Sequence, residues 1–373
     1  MLKHYLAVAW LNFRRNPLAA FINVLTLALG LVCFIAAYAI TGFWSRAEHH
    51  FANADRTFVM TSEWQLTDGS EMSSSIALPL TNHELARYLE SDFPQIEAAA
   101  RIVRLNETTP VHLGDRVLRM RGFAADAAFL DIFDLPFIAG DPRTALSAPR
   151  SVILTKEAAQ NLYGSTNVVG KSLTLYRNFD ALITGVIDRI PDPSHMGQSV
   201  SAPLRFDLLA SRDALEYLVR AFTGGRDTTQ LPEDWLNGQN TTYVMLPRDK
   251  SFTAAMLRKQ LPAFVERHVP ESQRRRTRIS LDVVPVSSLL GMSVRDTLFP
   301  QQSPVSVPLL LLVLGGIVLA VACINFANLA TARAAGRARE TGGQRHNDAE
   351  RQNRQHCPAS EISGPQCAQV DPG

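Results

Sequence analysis

The chain has 373 residues, 46% of them hydrophobic, and a formal charge of +2. That balance gives no electrostatic argument for nucleic acid, and no basic stripe with interleaved aromatics occurs. The four cysteines stand at positions 33, 323, 357 and 367, so the polar middle has no disulfide framework and no CxxC metal pattern exists.

In chain order, Leu2, Leu6, Trp10 and Phe13 recur at helical spacing and predict an amphipathic interfacial helix over residues 1–17. A signal peptide is the competing reading. Pro17 to Ser45, however, is 29 residues without a charge, against about 7–15 for a signal-peptide core. A transmembrane helix over 18–45 is expected, with Trp44 as interfacial anchor.

The region 46–304 reads as an α+β domain. A strand starts at Asp55–Met60, and Thr81 with Glu84 forms a capping box for a helix that buries Leu85, Tyr88 and Leu89. Alternation returns at 100–105. A second strand, helix and strand follow far downstream at 241–246, 252–268 and 278–284. The two units predict a split βαβ part over 46–106 and 236–304, with an α+β insert of short pieces at 107–235. Within the insert, Gly114-Asp115 turns a hairpin, Asp126 caps a short helix reaching Phe133, and 151–154 is a strand. Thr155 then starts a helix stopped by Gly164, and 173–176 and 182–187 read as an antiparallel pair.

Chemistry-bearing motifs are few. Gly164 to Ser172 imitates a phosphate-binding loop, but five residues separate its glycines instead of four, and it follows a helix instead of a strand. His49-His50 is a conceivable metal pair that reads more simply as solvated polar residues. Asn106-Glu107-Thr108 and Asn240-Thr241-Thr242 match glycosylation sequons at chance frequency, and the run Arg274 to Arg278 reads as a solvated loop before a strand. There is no GxSxG elbow and no HExxH. No catalytic residue, cofactor site or metal site is expected.

From Thr297 to Ala332 no side chain is charged, and 305–330 is expected to be a second transmembrane helix. Gly316 and Ala320 offer a small-xxx-small face for helix packing, and Asn325 and Asn328 either bond across helices or meet interfacial water. Lys3, Arg14 and Arg15 precede the first span, while Arg333, Arg337 and Arg339 follow the second. The positive-inside rule then puts both termini in the cytoplasm and 46–304 outside.

The segment Cys323 to Glu340, CINFANLATARAAGRARE, resembles the end of the second membrane helix of MacB/FtsX-type ABC transporter permeases. Asn16 to Leu31 resembles the first helix of that family, and Ser151–Leu175 and Ile183–Met196 resemble its periplasmic core domain. The resemblance covers about residues 1–340. It implies a bacterial inner-membrane permease subunit working with a cytoplasmic ABC ATPase, in contact with lipid and with no nucleic acid. It also implies a homodimer or pairing with a second permease half, and transmission of ATPase motion to the outer domain for export or efflux. The split part then corresponds to the porter-like part of the family's outer domain. Arg333, Arg337, Arg339 and Glu340, in a cytoplasmic helix extension over 331–340, become candidates for ATPase contact.

Beyond Glu340 the family pattern stops. Of the 33 residues 341–373 only Ile362 and Val370 are large and apolar, a composition suited to a disordered tail, and the expectation is an out-of-frame tail on a truncated permease. The rival reading is a two-span receptor with an outer ligand-binding domain, and a third is a membrane-anchored enzyme.

Overall fold

The computed structural model describes residues 17–66, 74–106, 108–198, 202–222, 234–236, 238–290, 310, 312–324, 327 and 331. The expectations for the interfacial helix, Asn325, Asn328, Arg333, Arg337, Arg339, Glu340 and the tail fall outside these residues. The chain divides into two compact units, 1–38 with 311–373, and 39–310.

The first unit contains most of helix α1 (Pro17–Trp44). Val24–Trp44, 21 residues, is long and apolar enough to cross a bilayer; at 1.5 Å per residue it is about 31 Å long, matching a hydrocarbon core of about 30 Å. Leu25, Val32 and Ile35 on its surface are exposed. The second expected span is represented by a shorter apolar helix, Leu312–Ile324. Where the two helices touch, each presents a glycine to the other's alanine. A Cβ at Gly30 would lie 3.1 Å from Ala322 Cβ, and one at Gly315 would lie 3.3 Å from Ala37 Cβ. The pairs 30–322 and 37–315 advance in opposite directions by seven residues, so the contact is antiparallel with one small residue per two turns. A Cβ at Gly316, one residue along, would meet no heavy atom of another element within 4 Å, and Ala320 is exposed. Their expected small-residue face points away from this contact.

The second unit is organised by one sheet. Its strands are β1 (Thr57–Leu66), β2 (Ser74–Leu78), β3 (Ala98–Arg104), β4 (Thr109–Leu113), β5 (Arg116–Met120), β6 (Gly122–Ala125) and β7 (Phe137–Gly140). Next come β8 (Ser151–Thr155), β9 (Ser172–Leu175), β10 (Phe179–Ile187), β11 (Met196–Gly197), β12 (Leu204–Arg205) and β13 (Leu208–Ser211), then β14 (Asn240–Met245) and β15 (Thr277–Pro285). Among the described residues thirteen of these form a continuous sheet in the order β15-β1-β14-β3-β6-β13-β8-β10-β9-β4-β5, with β2 added on β1 and β7 on β10; β11 and β12 form a separate short pair. The helices are α2 (Leu85–Asp92), α3 (Phe129–Ile132), α4 (Lys156–Tyr163), α5 (Asp213–Phe222), α6 (Ala254–His268) and α7 (Glu271–Arg274).

The order β15-β1-β14-β3 is all antiparallel. With α2 between β1 and β3 and α6 between β14 and β15, this is a βαββαβ unit of ferredoxin-like order. The strands β4 to β13 lie in sequence between its second and third core strands, and β6 joins them to β3 through Ile102–Ala125 and Val103–Ala124.

Strand alternation explains how both parts share a core. Val59, Ala100, Ile102, Phe123, Ile153, Leu209 and Tyr243 enter one hydrophobic cluster, which spans the β3–β6 junction on one face. Their sequence neighbours point to the opposite face. Met60, Ala99 and Val244 pack there with α2 and α6, and Val103, Ala124, Val152 and Leu208 pack with α4 and α5.

Two sequence expectations are corrected. Thr81 does not cap α2: its Oγ1 meets Thr242 Oγ1 at 2.7 Å, and its backbone bridges Asn240 at the start of β14. Asn82 Oδ1 instead accepts from Glu84 N at 3.2 Å, and Glu84 pairs with Arg87. Asp126 caps no helix with its side chain, because both of its oxygens are engaged by Arg101. The Thr155 cap stands, its Oγ1 accepting from Ala158 N at 3.2 Å, and Gly164 closes α4 with φ 69°.

Candidate functional site

Within the second unit, the residues that follow α1 are tied to the rest of its fold. Ser45 and Arg46 side chains donate to Gly42 O at 3.1 and 3.0 Å and close the helix. Ala47 and Glu48 are fully buried. Glu48 has φ 67°, left-handed for a residue with a Cβ, a conformation costing of order 1 kcal/mol that persists only where its surroundings over-determine it.

The surroundings do so. Glu48 N donates to Pro193 O at 3.1 Å. Its Oε2 accepts from Ser194 Oγ at 2.9 Å and its Oε1 from His195 N at 2.5 Å. The His195 Nδ1 also lies 3.0 Å from Oε1, without making a hydrogen bond. On the other side of the ring, Nε2 meets Tyr243 Oη at 2.7 Å. Glu48, His195 and Tyr243 each have zero exposure.

These residues are delivered by three separate pieces of chain: the turn after α1, the segment before β11, and the middle of β14. Phe133 closes the group, its ring 5.7 Å from His195 and 4.9 Å edge-on from Tyr243. Next along, Phe51 packs on Phe133 and Ala52 N donates to Asp134 Oδ1 at 3.0 Å. Burial by itself would raise the Glu48 carboxyl, but the adjacent His195 and the hydrogen bonds from His195 and Ser194 hold it below its usual 4.5. Burial, reinforced by Glu48, pushes the Tyr243 hydroxyl well above 10. The resulting element is a carboxylate held by Ser194 and the His195 backbone, with the imidazole beside it hydrogen-bonded to a neutral phenol. With no member reaching solvent it is suited to holding segments of chain together.

The sequence singled out His49 and His50 and passed over Glu48. His49 is exposed. His50 is half-buried against Phe51, and its Nε2 has no partner among the described residues. Desolvation lowers His50 below its usual 6.5. Among the described residues no group of three or more His, Cys, Asp or Glu side chains could hold a metal. The available signal for Glu48 was that it is close behind a long uncharged run; nothing in the sequence joined it to His195 or Tyr243.

The phosphate-loop imitation is occupied by the fold itself. Gly170 N donates to Ile183 O at 2.8 Å, Lys171 N to Val168 O at 3.0 Å, and Lys171 Nζ sits 5.1 Å from the Tyr163 ring centre. The sequon residue Asn240 is buried in the sheet, 4% exposed.

Comparison with known proteins adds the following. The family model for the MacB-like periplasmic core domain matches residues 20–258. No curated protein matches. Among solved structures the chain is similar to a permease-protein domain from Porphyromonas gingivalis, at 20% identity over 63% of this chain and 91% of that one, with a TM-score of 0.48. It is also similar to the periplasmic region of MacB from Actinobacillus actinomycetemcomitans, at 11% identity over 67% and 95%, TM-score 0.39. A third is the extracellular domain of the noncanonic ABC-type transporter YknZ from Gram-positive bacteria, at 12% identity over 61% and 99%, TM-score 0.38.

Proposed function

The chain belongs to the family of the MacB-like periplasmic core domain, and from that premise we propose that it is a permease subunit of an ABC transporter that carries ATPase-driven motion across the membrane for export or efflux. In this reading α1 and a second helix over 305–330 cross the membrane, both termini are cytoplasmic, and 46–304 is extracytoplasmic, with 46–106 and 236–304 as the porter-like part and 107–235 as the insert. Arg333, Arg337, Arg339 and Glu340 contact a cytoplasmic ATPase, and Asn325 and Asn328 bond across helices. The small face at Gly316 and Ala320 packs against a second permease copy or half. The chain itself needs no catalytic residue.

The observation that carries the proposal is the Glu48–His195–Tyr243 link. Within the second unit the chain passes from the end of α1 at Trp44 to a fully buried, triply held side chain in four residues, which supports a role in which load enters that unit at its N-terminal end.

The test is to purify tagged full-length chain from its native membrane, identify the bound cytoplasmic protein and measure its turnover. The expected result is an ATPase whose hydrolysis rate changes with Glu48→Gln, because the altered joint loads the cycle differently. Recovery of a histidine kinase would overturn the proposal in favour of the two-span receptor.

A further inference from the structure

The sheet of the second unit ends in β5 on one side and β15 on the other, and the two end strands differ in charge. β5 carries Arg116 and Arg119 and no acid, so a second copy of it would meet like charge, a common protection of sheet edges. β15, Thr-Arg-Ile-Ser-Leu-Asp-Val-Val-Pro, carries one cation and one acid.

The free side of β15 follows from its pairing with β1. Arg56 O accepts from Leu246 N at 3.0 Å, which turns alternate residues of β1 towards β14 and leaves Val59, Thr61, Glu63 and Gln65 to bond β15. Their partners Val284, Asp282, Ser280 and Arg278 face back into the sheet. Thr277, Ile279, Leu281 and Val283 therefore direct their N–H and C=O groups away from it. At Val283 the fold closes this edge itself. Arg258 Nη2 donates to Val283 O at 2.6 Å, and Val283 N donates to Asp282 Oδ1 at 2.7 Å. Ile279 and Leu281 have no such closure among the described residues, which leaves two N–H and two C=O groups on an open edge.

Any extended strand can add to an open edge through its backbone; side chains select which one. Ile279 and Val283 pack under the helix-covered face, so Arg278, Ser280 and Asp282 lie on the opposite one. Arg278 is exposed and has no ion pair among the described residues, while Asp282 is 47% exposed and is met by Arg258 alone. In an antiparallel register centred on Ser280, Ile279 exchanges hydrogen bonds with Leu281 of the second copy, and Leu281 with its Ile279. Arg278 then stands directly across from Asp282 of the second copy, twice by symmetry. Glu63, across from Ser280 on β1, adds a second carboxylate on that face to balance Arg258 and Arg278.

We propose that the open edge of β15 pairs antiparallel with β15 of a second copy about a two-fold axis at Ser280. Four backbone hydrogen bonds hold the strands, and the exposed ion pairs, which add little affinity, set register and choice of partner. The inference does not depend on the transport reading.

The experiment uses the full chain in its membrane, with Cys33, Cys323, Cys357 and Cys367 replaced by serine. Residues on the axis form a non-hydrogen-bonded pair with Cα atoms about 4.5 Å apart, within disulfide reach. Ser280→Cys should therefore oxidise to a covalent dimer on a non-reducing gel. Arg278→Cys in the same background should not, because its two copies stand four residues apart along the pair, about 14 Å. Adding Arg278→Asp to Ser280→Cys sets carboxylate against carboxylate and should abolish the dimer, and adding Asp282→Arg as well should recover it. Far-UV circular dichroism of the Arg278→Asp variant, expected to be unchanged at so exposed a position, separates lost pairing from lost fold. No dimer from Ser280→Cys, equal yields from Arg278→Cys, a dimer indifferent to Arg278→Asp, or a cross-link to a different protein would overturn the proposal.

Discussion

The buried cluster that follows α1 depends on three side chains, and each can be weakened differently. Tyr243→Phe removes one hydroxyl of nearly unchanged shape and leaves His195 Nε2 buried without its partner. A buried group stripped of its partner costs about 1–3 kcal/mol, and a drop of that size in denaturant-unfolding free energy is expected, with the fold retained. His195→Ala removes the buried ring itself, leaving Tyr243 Oη without its partner and a cavity beside Phe133, and should cost more than Tyr243→Phe. Equal losses for the two would show that the ring contributes only its hydrogen bond to Tyr243. Acid separates two neighbours. Glu48 has a folded-state pKa below its usual 4.5, so its contribution is complete above that pH and fades only as pH falls further. His50 is also lowered, from 6.5, facing Glu48, Asp134, His195 and Asp192. The unfolded chain takes up that proton first, so stability declines already as pH falls below 6.5. Melting His50→Asn beside wild type across pH 7 to 5 should flatten that decline; an unchanged slope would reassign it to another group. Of this site the sequence disclosed nothing, because its members meet only through contacts more than 40 residues apart.

Elements with local signals were legible and those set by tertiary contact were not. The hairpin β4–β5 around Gly114, the helix α4 between Thr155 and Gly164, and α6 behind Thr253 all carry their own start and stop chemistry. The strands β6 and β13, Gly-Phe-Ala-Ala and Leu-Leu-Ala-Ser, are short and buried on both faces, so they show no alternation to read. The Thr81 cap failed because an edge pairing with Asn240 claimed the residue. Helix pairing in the first unit shows the same division. Hydropathy supplied α1, but which small residues meet was a matter of rotation about the axis. Ala37→Cys with Gly315→Cys, with the two described cysteines Cys33 and Cys323 replaced by serine, should oxidise to a disulfide, since a Cβ at 315 would stand 3.3 Å from Ala37 Cβ, near the disulfide range of about 3.5–4.5 Å. Ala37→Cys with Gly316→Cys should not, because position 316 faces open space. Equal yields on non-reducing gels would place the contact elsewhere.

At the scale of the second unit, reading the chain as a split part and an insert raises the question of whether the two melt separately. The sheet argues against it. One cluster runs under both, from Val59 and Tyr243 to Ile153 and Leu209, and β3 pairs with β6 across the junction. Opening the inserted strands would therefore uncover the same face that the βαββαβ strands rest on. The tryptophans make this measurable: they stand at positions 10, 44, 64 and 235, so none lies between β3 and α5. The described tryptophans, Trp44, Trp64 and Trp235, stand at the end of α1 and in the βαββαβ cluster, so their emission reports those regions. Phe179, 2% exposed in the core of the inserted strands, packs 5.3 Å from the Tyr217 ring. Phe179→Ala should cost about 3–5 kcal/mol through lost burial and a residual cavity. If the shared face couples the two parts, the tryptophan transition shifts by as much as the far-UV circular dichroism transition. A tryptophan transition that stays in place while circular dichroism moves would mean that the inserted strands open alone. The joint at Glu48 would then be anchored to the βαββαβ strands without support from them.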